Sequence, residues 1–506
     1  MGRKVTVIPP TISLQTHQPT TQKVRRKVAG YARVSTDFEE QLTSYEAQVD
    51  YYTKYIQERE DWEFVKVYTD EGISATSTVH RDGFNQMVAD ALDGKIDLIV
   101  TKSVSRFARN TVDSLTTVRK LKEKGVEISA VCDVNKAKLA LAQKRLELAD
   151  GALYAEEETF FRKGKLADLL IVSTQDQLHL RHAVKGLDLG YDLLLEKPIA
   201  ASQEECETIL NKAQKLDRRV FVCHVLRYAP FFSEIKRRLS SGKYGKVVTI
   251  AMTENVAYWH QAHSFVRGNW RNEEESTFML LAKCCHDLDM IAYLSGKKCR
   301  FVSSMGHLSF FTAENAPENS AAYCYRCGVN DCPYNALNWY VKNPLWVKLP
   351  ELPEENRDAF IRNWLSDEKN PYARCVFHCD NDVVDHQVVN MQFEDMSTAT
   401  LTMTAFTDKF YRRTHVFCTK GEIYGDMEEK KLYCTVFGRE QTVIDLKDSF
   451  NDSHGGGDQG LIDDVVDMMN GRERSGRTDI EAWMISHRIA FAAEKSRREN
   501  GARERL

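Results

Sequence analysis

Between Ile96 and Asn135 the chain reads IDLIVTKSVSRFARNTVDSLTTVRKLKEKGVEISAVCDVN, a strand, a loop, a helix and a second strand, and the loop holds no glycine. A parallel sheet that cradles a phosphate needs glycines there, because only a bare backbone comes close enough for the helix amides to meet the anion. The stretch ends one α/β pattern and lies in the middle of another. Two readings follow: one continuous nucleotide-binding unit, or a join between two domains of different origin.

Length and composition frame these readings. With 506 residues the chain accommodates about three domains, each with its own core. Its 42% hydrophobic and 28% charged residues are ordinary globular values. Apolar runs such as DLIVT and ADLLIVST are far shorter than the roughly 20 residues of a membrane span. The first residues lack the apolar core of a secretory leader, and the 13 cysteines are scattered around one local cluster, so a cytoplasmic protein is expected. A net charge of −4 argues against an electrostatic grip on DNA by the whole molecule, and KVRRK (23–27) reads as a solvated charge run before it reads as a DNA patch.

In the first part, KVAGYARVST, WEFVKVYTDEG and IDLIVT read as strands separated by helical stretches, the pattern of a parallel sheet. Ser35 closes the first strand, and Thr36 with Glu39 fits a capping box, so capping alone is one account of the serine. Arg33 two residues earlier, with Arg81, Arg106 and Arg109 after strands or at helix starts, supports another. A hydroxyl that attacks a phosphodiester needs guanidinium groups to bear the charge on the non-bridging oxygens.

YARVST, DEGISA, RDGF and KSVSRFARN, in this order and spacing, resemble the catalytic domain of the serine recombinases of resolvase/invertase type. The resemblance implies Ser35 as nucleophile on DNA, Arg33, Arg81, Arg106 and Arg109 around the phosphate, and Gln41 and Gln48 ordering the site. Ser105 stands where small resolvases carry aspartate. No dimerisation helix or separate DNA-binding region follows LKEKGVEI, which argues against strand exchange.

In the second part, ISAVCDVNKAKLALAQKRL reads as a buried strand ending at Asp133, then a helix. An acidic residue at the end of a second strand is where dinucleotide folds hold the adenosine ribose, though aspartates cap helices just as often. AVCDVN, GYDLLLEKPIA, HVLRYAPFF, SGKYGKV, RGNWRN, CHDLD and CTKGEIYGD together resemble the glucose-fructose oxidoreductase/inositol dehydrogenase (Gfo/Idh/MocA) family. That family joins a Rossmann domain to an α/β domain with an open antiparallel sheet. VVTIAMTENVAYW, HQVVNMQFED, STATLTMTAFT and RTHVFCTKGEIYGD read as strands of that sheet.

The resemblance implies hydride transfer at a sugar or polyol carbon, NAD or NADP as cofactor, and Asp133, Ser173, Thr174, Glu196 and Lys197 as its contacts. Lys197 would polarise the substrate oxygen and His286 would exchange the proton, with Lys283 and Asp289 flanking it. Ala282 stands where the family usually has an aspartate. The plainer accounts are a surface lysine at a strand end and a helical histidine paired with a neighbouring charge. The strand, GxGxxG turn and helix that should precede AVCDVN are absent, so weakened cofactor binding is expected. The front domain's last β-α unit is expected to substitute for them in the sheet.

YCYRCGVNDCPYNA offers Cys324, Cys327 and Cys332 as weak metal candidates, with Cys299, Cys375, His378 or Cys379 as a fourth ligand, and reduced thiols are the first expectation. HGGGDQG (454–460) reads as a loop at the substrate mouth or a bare turn. The expected architecture is α/β followed by α+β. It comprises a tail (1–22), a resolvase-like parallel-sheet domain (23–128), a truncated Rossmann domain (129–226) and a substrate domain with a mostly antiparallel open sheet (227–506). Expected partners are a sugar or polyol, DNA through the front domain, and further copies of the chain, with no membrane. Three functions stay open: an oxidoreductase fused to a recombinase domain, a DNA-cleaving domain with an inactive passenger, and a rearranged chain with neither activity.

Overall fold

Alternating apolar runs become strands wherever a neighbour can pair with them. The computed structural model describes residues 26–34, 53, 54, 56, 57, 62–71, 86, 90, 95, 96, 98–101 and 126–506, the last range without 330, 348–351, 354, 450–452 and 473–479. The chain divides into two units, Met1–Asn110 and Thr111–Leu506.

In the first unit, β1 (Arg26–Val34) lies between β2 (Trp62–Glu71) and β3 (Leu98–Thr101), all parallel. Val28 and Ala29 are fully buried, and the backbone of Arg33 pairs in register with Asp70. These are the three strands expected from sequence.

The second unit starts with β4 (Val131–Cys132), α1 (Lys136–Leu146) and β5 (Leu153–Tyr154), the two strands pairing in parallel. A separate parallel ladder follows: β6 (Leu169–Val172), α2 (His179–Asp188), β7 (Asp192–Leu195), α3 (Gln203–Lys215) and β8 (Val220–Val222), in the order β6-β7-β8. Ser202 and Glu205 start α3 with a full capping box. Along β7 the period of two is clear, with Leu193 and Leu195 in one apolar cluster and Leu194 in another. Helices on both faces bury all four residues of β7.

β3 pairs with β1, with Val28 opposite Leu98, and belongs to the first unit's sheet. A doubly wound sheet runs 3-2-1-4-5-6. The ladders β5-β4 and β6-β7-β8 take the places 3-2 and 4-5-6, and no strand among the described residues takes place 1. The strand before Asp133 was expected to be buried, yet Val131 and Cys132 are only half-buried, as are Leu169, Leu170 and Ile171 of β6. Among the described residues no strand stands between β4 and β6 to cover their apolar side chains.

The rest of the unit is built on a nine-stranded sheet. Its strands are β9 (Val247–Asn255), β10 (Cys299–His307), β11 (His386–Phe393), β12 (Thr398–Thr404), β13 (Tyr411–Cys418), β14 (Gly421–Asp426), β15 (Lys431–Val436), β16 (Thr442–Asp445) and β17 (Glu504–Arg505). The order is β16-β15-β14-β13-β9-β12-β11-β10-β17, antiparallel except where β9 meets β12. Ala399, Leu401 and Met403 of β12 face a core shared with α4 (Cys285–Ser295), while the intervening residues face away. An insert between β10 and β11 carries α5 (Ala336–Lys342) and its own small apolar cluster. Near the end of the chain, α6 (Gly457–Met469) and α7 (Ile480–Arg498) return to the Rossmann ladder, each covering one face. Among the described residues no helix is long and apolar enough to cross a membrane.

Candidate active site

Parallel strands gather function at their C-terminal ends, where loops open toward a crevice. Ser173 and Thr174 follow β6, Glu196 and Lys197 follow β7, and His224 follows β8. Ser173 and Thr174 are exposed, and Thr174 Oγ1 lies 3.0 Å from His182 Nδ1. Lys197 is half-buried; its Nζ donates to the Ala282 carbonyl at 2.9 Å and stands 6.0 Å from the Trp270 ring centroid. That single carbonyl leaves the ammonium two further N–H groups with which to hold a ligand oxygen.

His286 comes from the other half of the unit. A short helix, Met279–Ala282, stops at Lys283, and α4 begins at Cys285, which places His286 in its first turn. The ring is 6% exposed, and Nδ1 has no hydrogen-bond partner. Burial holds its pKa well below the usual histidine value, and the nearby His224, Lys197, Arg412 and His454 add to the effect. His224 is fully buried with neither ring nitrogen partnered, stacked on Trp483 at 4.1 Å and edge-on to His286 at 5.0 Å. His487 accepts the Ile199 N–H at 3.0 Å through Nε2, and burial pulls its pKa down to about 4. The site is thus walled by imidazoles that burial keeps neutral.

His454 lies 6.4 Å from His286, centroid to centroid, and its Nδ1 is 3.0 Å from Asp458 Oδ1. Gly456 makes this turn possible: its φ is +91°, and a Cβ there would come within 2.7 Å of the Ser449 carbonyl oxygen. The stretch 454–460 is only partly the expected loop, since α6 starts at Gly457.

Charged residues flank the imidazoles. Arg412 Nε lies 2.8 Å from Asp287 Oδ1 and 3.0 Å from Glu254 Oε2, and Lys283 Nζ reaches Glu254 Oε1 at 3.5 Å and covers the Phe410 ring at 4.3 Å. Burial outweighs Arg412 and pushes the Glu254 carboxyl up to about 7. Burial likewise lowers the pKa of Lys283, which sits in the break between two helices. Asp289 is held by the Arg227 guanidinium at 2.6 and 2.9 Å. Glu254, Arg412 and His224 were not singled out from sequence. HVLRYAPFF marked the strand end that bears His224, but its stacking on Trp483, 259 residues later, left no local signal.

The remaining candidates fall as follows. Asp133 is half-buried at the end of β4, and its Oδ1 accepts the Asn135 N–H at 2.7 Å, while Asn135 caps α1. Ser35, Gln41, Gln48, Arg81, Arg106 and Arg109 lie outside the described residues, as does the side chain of Arg33. The 13 cysteines are free, and no group of three or more His, Cys, Asp or Glu side chains among the described residues is arranged to hold a metal ion. Cys299 lies in the main core, whereas Cys324 and Cys375 lie in the insert's clusters.

Comparison with known proteins agrees with this geometry. Residues 236–502, more than half of the chain, match the model described as Oxidoreductase family, C-terminal alpha/beta domain. Residues 104–224 match Oxidoreductase family, NAD-binding Rossmann fold, and residues 28–162 match Resolvase, N terminal domain, so both models include the seam. The "Putative oxidoreductase YteT" of Bacillus subtilis (strain 168) is 24% identical over 375 residues, 70% of this chain and 85% of that protein. The scyllo-inositol 2-dehydrogenase (NADP(+)) IolW of the same organism is 28% identical over 130 residues, 26% of this chain and 35% of its own length. The crystal structure of the WlbA dehydrogenase from Bordetella pertussis in complex with NADH and UDP-GlcNAcA shares the fold at a TM-score of 0.56 and 15% identity, covering 78% of this chain and 94% of that one. The chain therefore belongs to the Gfo/Idh/MocA oxidoreductase family and carries a resolvase N-terminal domain match at its front.

Proposed function

We propose that the chain oxidises a secondary alcohol of a sugar or polyol, with Lys197 holding the substrate oxygen and His286 taking its proton. One observation carries the reading: Lys197, at the end of β7, donates at 2.9 Å to the carbonyl of Ala282, four residues before His286, whose ring burial keeps neutral. A neutral imidazole can take the proton that alcohol oxidation releases, and the Lys197 ammonium lowers the cost of alkoxide character. The polyol and nucleotide-sugar proteins named above support the substrate class.

NAD(P), when bound, supplies the hydride acceptor. The strand ends at Ser173, Thr174 and Glu196 fit the redox end of such a cofactor, and Asp133, whose Oδ2 lies 3.8 Å from Lys138 Nζ, would meet the ribose. The Gly-rich β-α unit that holds a pyrophosphate has no counterpart among the described residues. The cofactor is accordingly held weakly. Fluorescence titration with NADH and NADPH should give saturable binding weaker than micromolar, weakened further by Asp133→Ala. No saturation at millimolar cofactor would sink the reading.

A second reading rests on the resolvase match over residues 28–162 and the parallel order β2-β1-β3. In it Ser35 cleaves DNA with Arg33, Arg81, Arg106 and Arg109 around the phosphate. It requires nicking of supercoiled DNA that disappears in Ser35→Ala.

A further inference from the structure

The insert between β10 and β11 builds a second cavity, of about 540 Å³, that the redox chemistry does not use. Trp339 projects from α5, whose first turn is capped by Asn335, and Trp346 follows in the turn Pro344–Trp346. Trp259 comes from the helical turn just after β9, and its indole N–H donates to the Asp408 carbonyl at 3.0 Å, which ties the cavity to the loop between β12 and β13. The rings of Trp259 and Trp339 lie nearly parallel, 18° apart with centroids 5.7 Å apart. Trp346 stands against Trp259 at 70° and against Trp339 at 61°. Two indoles make a floor and the third makes a wall. Asp331, Asn338 and Lys342 are exposed at this cavity, and Asn343 also lines it.

This shape selects its ligand. A floor of aromatic faces bounded by amide and carboxylate groups suits a pyranose ring, which presents C–H bonds to the floor and hydroxyls to the rim. Two carboxylates, Asp331 and Asp408, face one ammonium, Lys342, so a phosphorylated sugar is disfavoured. Near-parallel rings 5.7 Å apart are also unlike the enclosing cage that a quaternary ammonium ion prefers.

Ring contacts lead from the cavity back to the candidate active site. His260 lies 5.7 Å from Trp259, 5.4 Å from Trp346 and 5.3 Å from Phe410, the ring that Lys283 covers. We propose that the Trp259–Trp339–Trp346 cavity is a subsite for a neutral glycosyl unit joined to the sugar that Lys197 and His286 act on, so that the substrate is a glycoside or short oligosaccharide rather than a free monosaccharide. The inference deepens the reading of the Lys197 site as a sugar site and rests on it.

The test measures tryptophan fluorescence of the full chain, without cofactor, against cellobiose, maltose, glucose and choline. Saturable quenching by a disaccharide at least ten times tighter than by glucose is expected, with that preference lost in Trp339→Ala and reduced in the exposed variant Asp331→Ala. Disaccharide binding that both variants leave unchanged overturns the subsite, as does quenching by choline alone. Turnover of glucose with no disaccharide binding also overturns it while leaving the redox reading intact. Disaccharide binding that depends on Trp339, with no NAD(P) reduction at saturating cofactor, upholds the subsite and sinks the redox reading instead.

Discussion

Lys197 and His286 divide the chemistry by charge. The ammonium, half-buried and bonded to one carbonyl, attracts an anionic oxygen; the imidazole, buried among other rings, receives a proton. At saturating cofactor, Lys197→Met and His286→Gln are each expected to lower kcat for alcohol oxidation by about 10²- to 10⁴-fold. Lys197→Met should leave the thermal midpoint nearly unchanged, because methionine keeps most of the apolar stem of this half-buried side chain. His286 is held neutral well below the ordinary histidine range, so kcat should stay flat as pH falls from 8 through 6.5. An acidic limb centred near 6.5 would mean that the proton goes elsewhere. The residue types were legible in EKP and CHDLD, whereas the burial that keeps His286 neutral involves His224, distant in sequence and itself stacked on Trp483.

α7 joins the two halves of the second unit, with Trp483 and Met484 in the Rossmann cluster and Ile489, Ala490 and Ala493 in the core of the open sheet. His487 lies on this helix, and its Nε2 accepts the N–H of Ile199, two residues beyond Lys197. The unfolded chain takes up a proton at the ordinary value of 6.5, and the folded chain only at about 4. His487 therefore contributes stability above pH 6.5 that is lost as pH falls toward 4, on the order of 3 kcal/mol in all. His487→Asn should lower the thermal midpoint at pH 8, and its gap to the parent should narrow progressively toward pH 4. A gap that is constant with pH would remove His487 from the acid response. The strands β9, β11 and β12 and the hairpin β13–β14 were legible as alternation, because one face of each meets the core. β4 was misread as buried, since its apolar letters are those of a central strand and its exposure depends on a neighbour that sequence pattern alone cannot supply.

For the second unit as a whole, the decisive feature is that no described strand stands between β4 and β6. Replacing residues 1–125 with a β-α unit that carries GxGxxG, ending in register with Val131, should raise NADH affinity at least tenfold. The same change should raise thermal stability, because a strand there would cover the half-buried residues of β4 and β6. An unchanged affinity would show that the loss of the Gly-rich turn is not what limits cofactor binding.

Local pattern determined the parallel strands, the strands of the open sheet, the lysine at a strand end and the seam itself, because each rests on residues close together in the chain. Tertiary structure alone decided that β3 stays with β1, that three histidines are buried and neutral, and that three tryptophans from two separate segments form one cavity. Those outcomes depend on which surfaces meet after folding. Burial, pairing and ring contact are properties of neighbours in space, and no run of letters carries them.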